Sequence, residues 1–269
     1  MTTQFLDIKE EGEVLWVTMN RPTSLNALNR GMVDELRELF VDLYWRHEIR
    51  VVVLRGAGAN FCAGLDLKEP RGNEPRGISA GLISQRKISE IVIAMRRCPQ
   101  PIIALVDGAA AGGGFALALA SDIRIATPTL KMNAAFIKIG LSACDIGVSY
   151  FLPRMVGASV AAELMLTGRF LKADRALALG VVSAVVAPEA LDAEARELAG
   201  EMLRTTPLGL RLTKEALNHA IDAQGLEAAI AMEDRNQILC VQGEDFGEGV
   251  RAFLEKRPPD YSKGRADSK

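Results

Sequence analysis

Histidine and cysteine are scarce in this sequence, and neither forms a pattern that would bind a metal ion. The two histidines, His47 and His219, lie far apart, and the four cysteines are scattered without paired spacing. A zinc site or a disulfide framework requires such residues at close and regular intervals. The composition therefore supports neither kind of site.

An excess of charge of one sign is also missing. The chain has 32 lysine and arginine residues against 34 aspartate and glutamate residues, so it has no basic field that would hold nucleic acid. The first residues carry no basic segment followed by an apolar run, and no apolar stretch is long enough to span a bilayer. We expect a soluble, cytoplasmic protein with neither nucleic acid nor a membrane as a partner.

The 269 residues, of which 49% are hydrophobic, can bury a substantial core. Runs typical of strands occur at Val14–Met19, 51–54, Ile102–Val106 and 122–126, and Pro22 blocks continuation of the first. Apolar residues at helical spacing follow Asn29, a plausible N-cap, and recur over 83–95. Strands and helices thus alternate with short connections, which predicts a layered α/β fold.

The stretch 108–115 is the part around which the chain is organised. It reads as a glycine turn between the strand Ile102–Val106 and a helix, and it contains Gly112, Gly113 and Gly114 in succession. Glycine costs roughly 0.5–1 kcal/mol relative to alanine where the backbone must be ordered. Close approach of a ligand to bare backbone at a helix N-terminus, where free N–H groups attract a negative oxygen, would explain three of them. Tight packing of the turn without a ligand is the alternative.

The sequence lacks two common motifs, those of dinucleotide binding and of serine hydrolases, but it contains one aspartate in an unusual position. Phe61 occupies the position where a dinucleotide-binding motif needs its third glycine, and the segment after Gly140 lacks the second glycine of a serine hydrolase. Asp145 lies between apolar neighbours in a glycine-bounded loop, where a carboxylate could be desolvated. Its alternative role is an N-cap for the helix that follows.

The last part of the sequence predicts helices only, over 191–203, 207–221, 226–239 and 247–254. Such a region with apolar faces is either a cover for the sheet or an oligomer interface.

Before the helix at 83–95, the loop 69–77 reads as mobile. Lys68, Arg71 and Arg76 in and beside it would suit a phosphate-bearing ligand, although a solvated charged loop is the more usual explanation for any one of them.

An ordered set of motifs resembles the enoyl-CoA hydratase/isomerase family, also called the crotonase superfamily. The matching segments are colinear and occur at 26–29, 61–67, 104–114, 121–124, 152–157 and 253–257. The resemblance implies an α/β core of repeated ββα units in a spiral over residues 1–190. It also implies a C-terminal helical region, 191–269, that covers the active site and builds a homotrimer or a dimer of trimers. The implied ligand is an acyl-CoA thioester, with no cofactor beyond the CoA that the substrate itself carries.

The resemblance assigns site residues one by one. The two backbone N–H groups that hold the thioester oxygen in the family fall on Leu65 and Gly113. The positions implied to contact CoA are Ala27, Ala63, Asp66 and Leu67, together with Phe253 and Lys256, which would reach CoA bound to a neighbouring subunit.

Two departures from the family pattern bear on the chemistry. The positions of the two glutamates of ordinary hydratases fall on Ala116 and Phe136, which cannot move a proton. The loop around Asp145 contains one residue more than is usual. An aspartate in this loop is similar to the acid/base of dienoyl-CoA isomerases and to the nucleophile of 4-chlorobenzoyl-CoA dehalogenases. The resemblance therefore makes Asp145 the leading catalytic candidate.

These observations predict an acyl-CoA enzyme that stabilises a thioester enolate and uses Asp145 as its acid/base, with an enoyl-CoA hydratase-like lyase as the leading description. An isomerase that shifts a double bond is the next candidate, since one carboxylate can move a proton between two carbons. A hydrolase or dehalogenase with Asp145 as nucleophile is a third. A non-catalytic acyl-CoA binder would bind the thioester without turnover or exchange at the α carbon.

Overall fold

The computed structural model describes residues 3–70 and 77–261. Arg71 and Arg76, two of the predicted phosphate-binding residues, therefore lie outside the described residues. The strands are β1 (Leu6–Glu11), β2 (Val14–Met19), β3 (Val51–Gly56), β4 (Ile102–Val106), β5 (Ala109–Ala111), β6 (Ile123–Ala126), β7 (Lys131–Asn133), β8 (Leu171–Lys172) and β9 (Ala184–Val185). The α-helices are α1 (Arg30–Asp42), α2 (Ile78–Arg97), α3 (Gly113–Ala120), α4 (Val148–Val156), α5 (Ala158–Thr167), α6 (Ala173–Ala178), α7 (Leu191–Leu203), α8 (Pro207–Ala220), α9 (Leu226–Gln242) and α10 (Glu244–Glu255).

The larger sheet has six strands in the order β1-β2-β3-β4-β6-β9. Strands β2, β3, β4, β6 and β9 are parallel, and β1 pairs with β2 in the antiparallel sense at one edge. Because helices cover both faces of a parallel sheet, its inner strands are continuous apolar runs, which is why β2, β3 and β4 were readable from the sequence. The strand at Val14–Met19 is confirmed, but it is not the first, since the mostly exposed β1 precedes it.

A second sheet of three short strands, in the order β5-β7-β8, lies beside the first. The chain passes from β4 to β5 and then into α3, and in the next turn from β6 to β7. These two turns of the chain therefore each give one strand to each sheet, which is consistent with a spiral of ββα units. The predicted α/β fold class is confirmed, although the glycine stretch is not a simple turn because β5 lies within it.

Helices pack on both faces of the larger sheet. Asn29 caps α1 by accepting a hydrogen bond from the Met32 amide at 3.0 Å, as predicted, and the apolar stripe of α1 is buried against the sheet. On the opposite face, α7 buries Leu191, Ala195 and Ala199 against the side chains of β2, β3, β4 and β6. The first of the C-terminal helices is thus a cover for the sheet.

The remaining C-terminal helices extend away from this core. Helix α8 is tied to it by the buried Lys214, whose ammonium group lies 2.9 Å from the Asp122 carboxylate and donates to the Gln100 carbonyl oxygen at 2.7 Å. Helices α9 and α10 instead carry exposed apolar side chains, of which Phe253 is 83% exposed. None of the helices in the described ranges combines the length and the apolar character that crossing a bilayer would require.

Candidate active site

Three segments that are distant in the sequence meet at the glycine stretch. The segment that follows β3 runs alongside β5, because the Cys62 amide donates to the Ala109 carbonyl oxygen at 2.9 Å and the Ala111 amide donates to that of Cys62 at 3.0 Å. On its other side it pairs with residues 25–28, where the Leu28 amide donates to the Gly64 carbonyl oxygen at 2.7 Å. Hydrogen bonds thus fix all three backbones relative to each other.

The side chain of Asn26 stabilises this arrangement through hydrogen bonds. Its side chain is fully buried, and Nδ2 donates to the carbonyl oxygens of Ala57 at 2.9 Å and Asn60 at 2.7 Å. Its Oδ1 accepts from the Arg21 amide at 2.9 Å. A buried amide whose donors and acceptor are all paired specifies one arrangement of the surrounding loops.

Gly64 and Gly113 bring two backbone amides together. Gly64 has a φ of +94°, and a β-carbon on it would lie 2.7 Å from the Ala111 carbonyl oxygen and 3.3 Å from the Gly113 nitrogen. Leu65 follows Gly64 directly, so its N–H belongs to the same narrow space. Within the described residues, neither the Leu65 N–H nor the Gly113 N–H donates to another group. The site therefore has two adjacent donors that are ready to bind an oxygen atom.

The other glycines of the run are required by the turn itself. Gly112 has a φ of +52°, which favours glycine, and a β-carbon on Gly114 would lie only 2.0 Å from the Cys62 carbonyl oxygen. Packing alone therefore accounts for Gly112 and Gly114. Gly113 is different, because it opens α3 with a free amide at the positive end of the helix.

Apolar side chains lie beside Gly112 and Gly113. A β-carbon on Gly113 would meet Leu28 Cδ1 at 2.8 Å and Ile146 Cδ1 at 3.8 Å, and the ring of Phe136 lies 3.5 Å from the corresponding position on Gly112. Ala116 is fully buried in α3. In such surroundings a charge that develops on a bound oxygen interacts strongly with the two N–H dipoles, because little water competes for it.

Asp145 directly precedes Ile146, whose Cδ1 lies 3.8 Å from the β-carbon position of Gly113. Asp145 Oδ1 accepts hydrogen bonds from the Ile146 amide at 2.8 Å and from Gln85 Nε2 at 2.6 Å. Partial burial raises the pKa of the Asp145 carboxyl above its usual value, and the two hydrogen bonds offset part of this rise. A raised pKa brings a carboxyl group closer to the range in which it can both take and return a proton.

The proposal that Asp145 caps the following helix is wrong. Gly147 is the N-cap of α4, and no side chain caps that helix. Ile146, between Asp145 and the cap, has a φ of +34°, which is a strained conformation for a β-branched residue. Such strain is held in place by its surroundings and is concentrated at functional sites.

The residues predicted to contact CoA divide into two groups. Ala27, Ala63, Asp66 and Leu67 lie together, because the Ala63 amide donates to the Leu25 carbonyl oxygen at 3.0 Å and the Asp66 amide donates to that of Leu28 at 3.0 Å. Phe253 and Lys256 lie at the exposed end of α10, whose contacts are mainly with α9. The structure thus brings the first four residues to the two free amides and leaves the last two outside this group.

Asp66 already has partners within the chain. Arg21 Nη2 lies 2.8 Å from its Oδ2, and the Lys68 amide donates to its Oδ1 at 3.0 Å. The Arg21 guanidinium holds the pKa of the Asp66 carboxyl below its usual value, and the Lys68 N–H adds to the effect. The carboxylate therefore stabilises the loop and leaves the backbone and the exposed Leu65 and Leu67 for a ligand.

Cavities of about 290 and 220 Å³ lie elsewhere in the molecule, and none of the candidate residues lines them. Within residues 3–70 and 77–261, no group of three or more metal-binding side chains comes together.

Three contributors to the site were not identified as such from the sequence. Gln85 and Arg21 contact their carboxylate partners from 60 and 45 residues away, so no local pattern indicated them. Gly64 stood within a recognised motif, but its close approach to Gly113 depends on the pairing of the loop after β3 with β5.

Comparison with known proteins shows the family of this chain. A family model described as enoyl-CoA hydratase/isomerase matches residues 9–264. A Mycobacterium leprae protein named "Probable enoyl-CoA hydratase echA12" is 37% identical over 251 residues, which cover 91% of this chain and 85% of the relative. The 1,2-epoxyphenylacetyl-CoA isomerase of Escherichia coli is 36% identical over 261 residues, covering 96% and 98%. The crystal structure of an enoyl-CoA hydratase from Bacillus anthracis superimposes with a TM-score of 0.90 at 32% identity, covering 96% of this chain and 99% of that one. The chain is therefore an enzyme of the enoyl-CoA hydratase/isomerase family.

Proposed function

We propose that this enzyme binds an acyl-CoA thioester with its carbonyl oxygen between the backbone amides of Leu65 and Gly113 and stabilises the enolate that forms there. The observation that carries the proposal is the pair of N–H groups beside Gly64, which have no acceptor among the described residues and have apolar side chains next to Gly113. Removal of a proton next to a thioester places negative charge on that oxygen. One preorganised donor of this kind typically contributes about 2.7–4 kcal/mol to lowering the barrier.

Asp145 is the proposed acid/base. The next residue, Ile146, contacts the β-carbon position of Gly113, and the raised pKa of Asp145 suits a group that exchanges a proton with carbon. Ala116 and Phe136 supply no second carboxylate at the positions where ordinary hydratases of the family carry glutamates. The proposed mechanism therefore depends on one carboxylate.

A double-bond shift is the reaction that this geometry supports best. A single carboxylate can take a proton from one carbon of an enoyl thioester and return it to another, whereas hydration also requires a held water molecule. The name of the Escherichia coli relative, 1,2-epoxyphenylacetyl-CoA isomerase, is in line with isomerase chemistry. Hydration by Asp145 is the second candidate, and the names of the Mycobacterium leprae and Bacillus anthracis relatives favour it.

The CoA moiety is proposed to extend along the segment that contains Ala27, Ala63, Asp66 and Leu67. Because Arg21 already neutralises the Asp66 carboxylate, backbone groups and exposed leucine side chains provide the contacts. Proton transfer and charge stabilisation come from the protein itself. The proposed reaction therefore needs no cofactor besides the CoA that the substrate carries.

We also propose that residues 1–190 form the catalytic core and that residues 191–269 build a homotrimer or a dimer of trimers and cover the active site. Phe253 and Leu254 on α10 are 83% and 73% exposed, and further apolar side chains of α8 and α9 are exposed beside them. An apolar surface of this extent calls for a partner surface. Phe253 and Lys256 would then contact CoA bound to a neighbouring subunit. Sedimentation of a stable monomer at micromolar concentration would exclude both ideas.

The proposal is tested by incubating the purified protein in deuterated water with a panel of trans-2- and trans-3-enoyl-CoA and saturated acyl-CoA thioesters, followed by mass spectrometry. We expect deuterium uptake together with interconversion of the 2- and 3-enoyl thioesters. A mass gain of one water would identify hydration, and free acid would identify hydrolysis. Binding of the thioesters without exchange or turnover would contradict the proposal and identify a binding protein.

A further inference from the structure

The Asp145 carboxylate is held by one of its two oxygens. Gln85 Nε2 and the Ile146 amide both donate to Oδ1, at 2.6 and 2.8 Å. Within the described part of the chain, no group donates to Oδ2. Oδ1 is therefore fixed by two hydrogen bonds, whereas Oδ2 has no hydrogen-bond donor among the described residues.

Gln85 reaches this carboxylate from a different element. It lies on α2, and its side chain is exposed, so it contributes little to the packing of the core. In the ranges 3–70 and 77–261, the bond to Asp145 is the one hydrogen bond that its side chain makes. The side chain thus has no structural task there besides contacting Asp145.

We propose that Gln85 is a positioning residue, which fixes Asp145 through Oδ1 so that Oδ2 carries out the proton transfer; this inference rests on the function proposed above. In the first step a C–H bond of the substrate breaks, an O–H bond forms at Oδ2, and the electron pair enters the enolate. In the second step that O–H bond breaks and a new C–H bond forms at the other carbon. Oδ1 accepts both hydrogen bonds throughout, as a carboxylate oxygen and as the carbonyl oxygen of the acid.

The charged groups near Asp145 pair with other residues, so only neutral N–H donors bind its carboxylate in the described part of the chain. On α2, Arg86 pairs with Glu90 and Lys87 pairs with Asp34, while Tyr150 on α4 bonds to Asp222. The neighbours at Gly113 are apolar, and no ion pair to Asp145 is present in the described residues. A hydrogen bond to a carboxylate favours its ionised form. Gln85 should therefore set both the orientation of Asp145 and the pH at which it becomes a base.

The test compares Gln85→Met, which keeps the length but has no donor, with Gln85→Glu and with the matched control Ser84→Ala on the same exposed turn. Each is assayed from pH 4 to 9 with the enoyl-CoA of the panel that the wild-type enzyme converts fastest. We expect Gln85→Met to lower kcat roughly ten- to hundredfold with little change in KM, the usual effect of a misplaced catalytic group. The acidic limb of its rate profile should move to higher pH, since loss of the donor raises the pKa of Asp145.

Gln85→Glu should move that limb further, because a second carboxylate opposes ionisation of the first. Ser84→Ala should match the wild type. Suppose that Asp145→Asn is inactive. An acidic limb of the pH–rate profile that does not move in Gln85→Met would then overturn the positioning role, whether or not kcat falls. Full activity of Asp145→Asn would instead overturn the proposed function itself, so the two failures are distinguishable.

Discussion

Gly64 and Gly113 face each other so closely that a β-carbon on Gly64 would lie 3.3 Å from the Gly113 nitrogen and 2.7 Å from the Ala111 carbonyl oxygen. The left-handed φ of +94° at Gly64 directs the following N–H of Leu65 into the same region. Both the turn and the close approach require glycine. The site thus depends on the absence of a side chain at this position.

We predict that Gly64→Ala lowers kcat about a hundredfold or more, because the new methyl group must displace the Ala111 carbonyl and the Gly113 amide. The control is Gly12→Ala. Gly12 also has a positive φ, of +63°, but no atom lies within 4 Å of its β-carbon position. Both variants carry the roughly 1–2 kcal/mol cost of a left-handed residue, so only the first should lose activity. Equal kcat values in the two variants would argue against a catalytic role for this approach.

Gly113→Pro removes the second donor. Position 113 is the first residue of α3, where proline suits a helix, but the proline ring also crowds the space beside Gly64, so kcat must be measured together with a folding probe. We expect kcat to fall by roughly 10²–10³, the typical result of losing one oxyanion donor. Gly113→Ala is the control, since it keeps the N–H, and the one close contact of its β-carbon is with the flexible end of Leu28, the others being at ordinary contact distance. A Gly113→Pro variant with native circular dichroism and full kcat would contradict the assignment.

Asp145→Asn separates the roles considered for this residue. The amide oxygen still accepts hydrogen bonds from Gln85 and Ile146, so the loop and acyl-CoA binding should be retained, while kcat should fall by roughly 10²–10⁴. Steady-state kinetics and a binding titration measure these effects. If Asp145 is a nucleophile instead, wild-type enzyme quenched during turnover should carry a mass increment on the peptide that contains Asp145. Unchanged kcat in the variant would remove the residue from the mechanism.

The same substitution should affect stability in a pH-dependent way. Burial raises the pKa of Asp145 in the folded state above the unfolded value of about 3.9, so its ionised form opposes folding. The penalty is absent below the unfolded pKa and grows as pH rises through the folded one. Asp145→Asn should therefore be at least as stable as the wild type at pH 7, and the difference should vanish near pH 3. Urea unfolding at several pH values measures this, and a clearly less stable variant at pH 7 would be inconsistent with it.

The elements that the sequence predicted best are those that are buried uniformly, along a whole strand or along one face of a helix. Strand β4 and helix α1 are buried along a whole strand or one helix face, and their apolar patterns and the Asn29 cap were recognisable. Strand β1 was missed because it lies at the sheet edge and exposes polar side chains. Strand β5 consists of three alanines, which carry no strand signal of their own.

The site was predictable only as far as its motifs extend. The glycine run indicated an anion-binding turn, and the family resemblance placed the donors at Leu65 and Gly113. The capping role considered for Asp145 failed because the local sequence did not reveal that Ile146 would adopt a φ of +34° and that Gly147 would begin α4. The contact with Gln85 depends on how α2 packs against a loop 60 residues away, which no single segment encodes.

The most direct test of the account is a crystal structure of the Asp145→Asn variant with an enoyl-CoA thioester bound. We predict that the thioester oxygen lies about 2.7–3.1 Å from the backbone nitrogens of both Leu65 and Gly113, the range of preorganised oxyanion donors. The side chain at position 145 should face the carbons that exchange the proton. A thioester oxygen that contacts neither amide, in a fully occupied complex, would contradict the central claim.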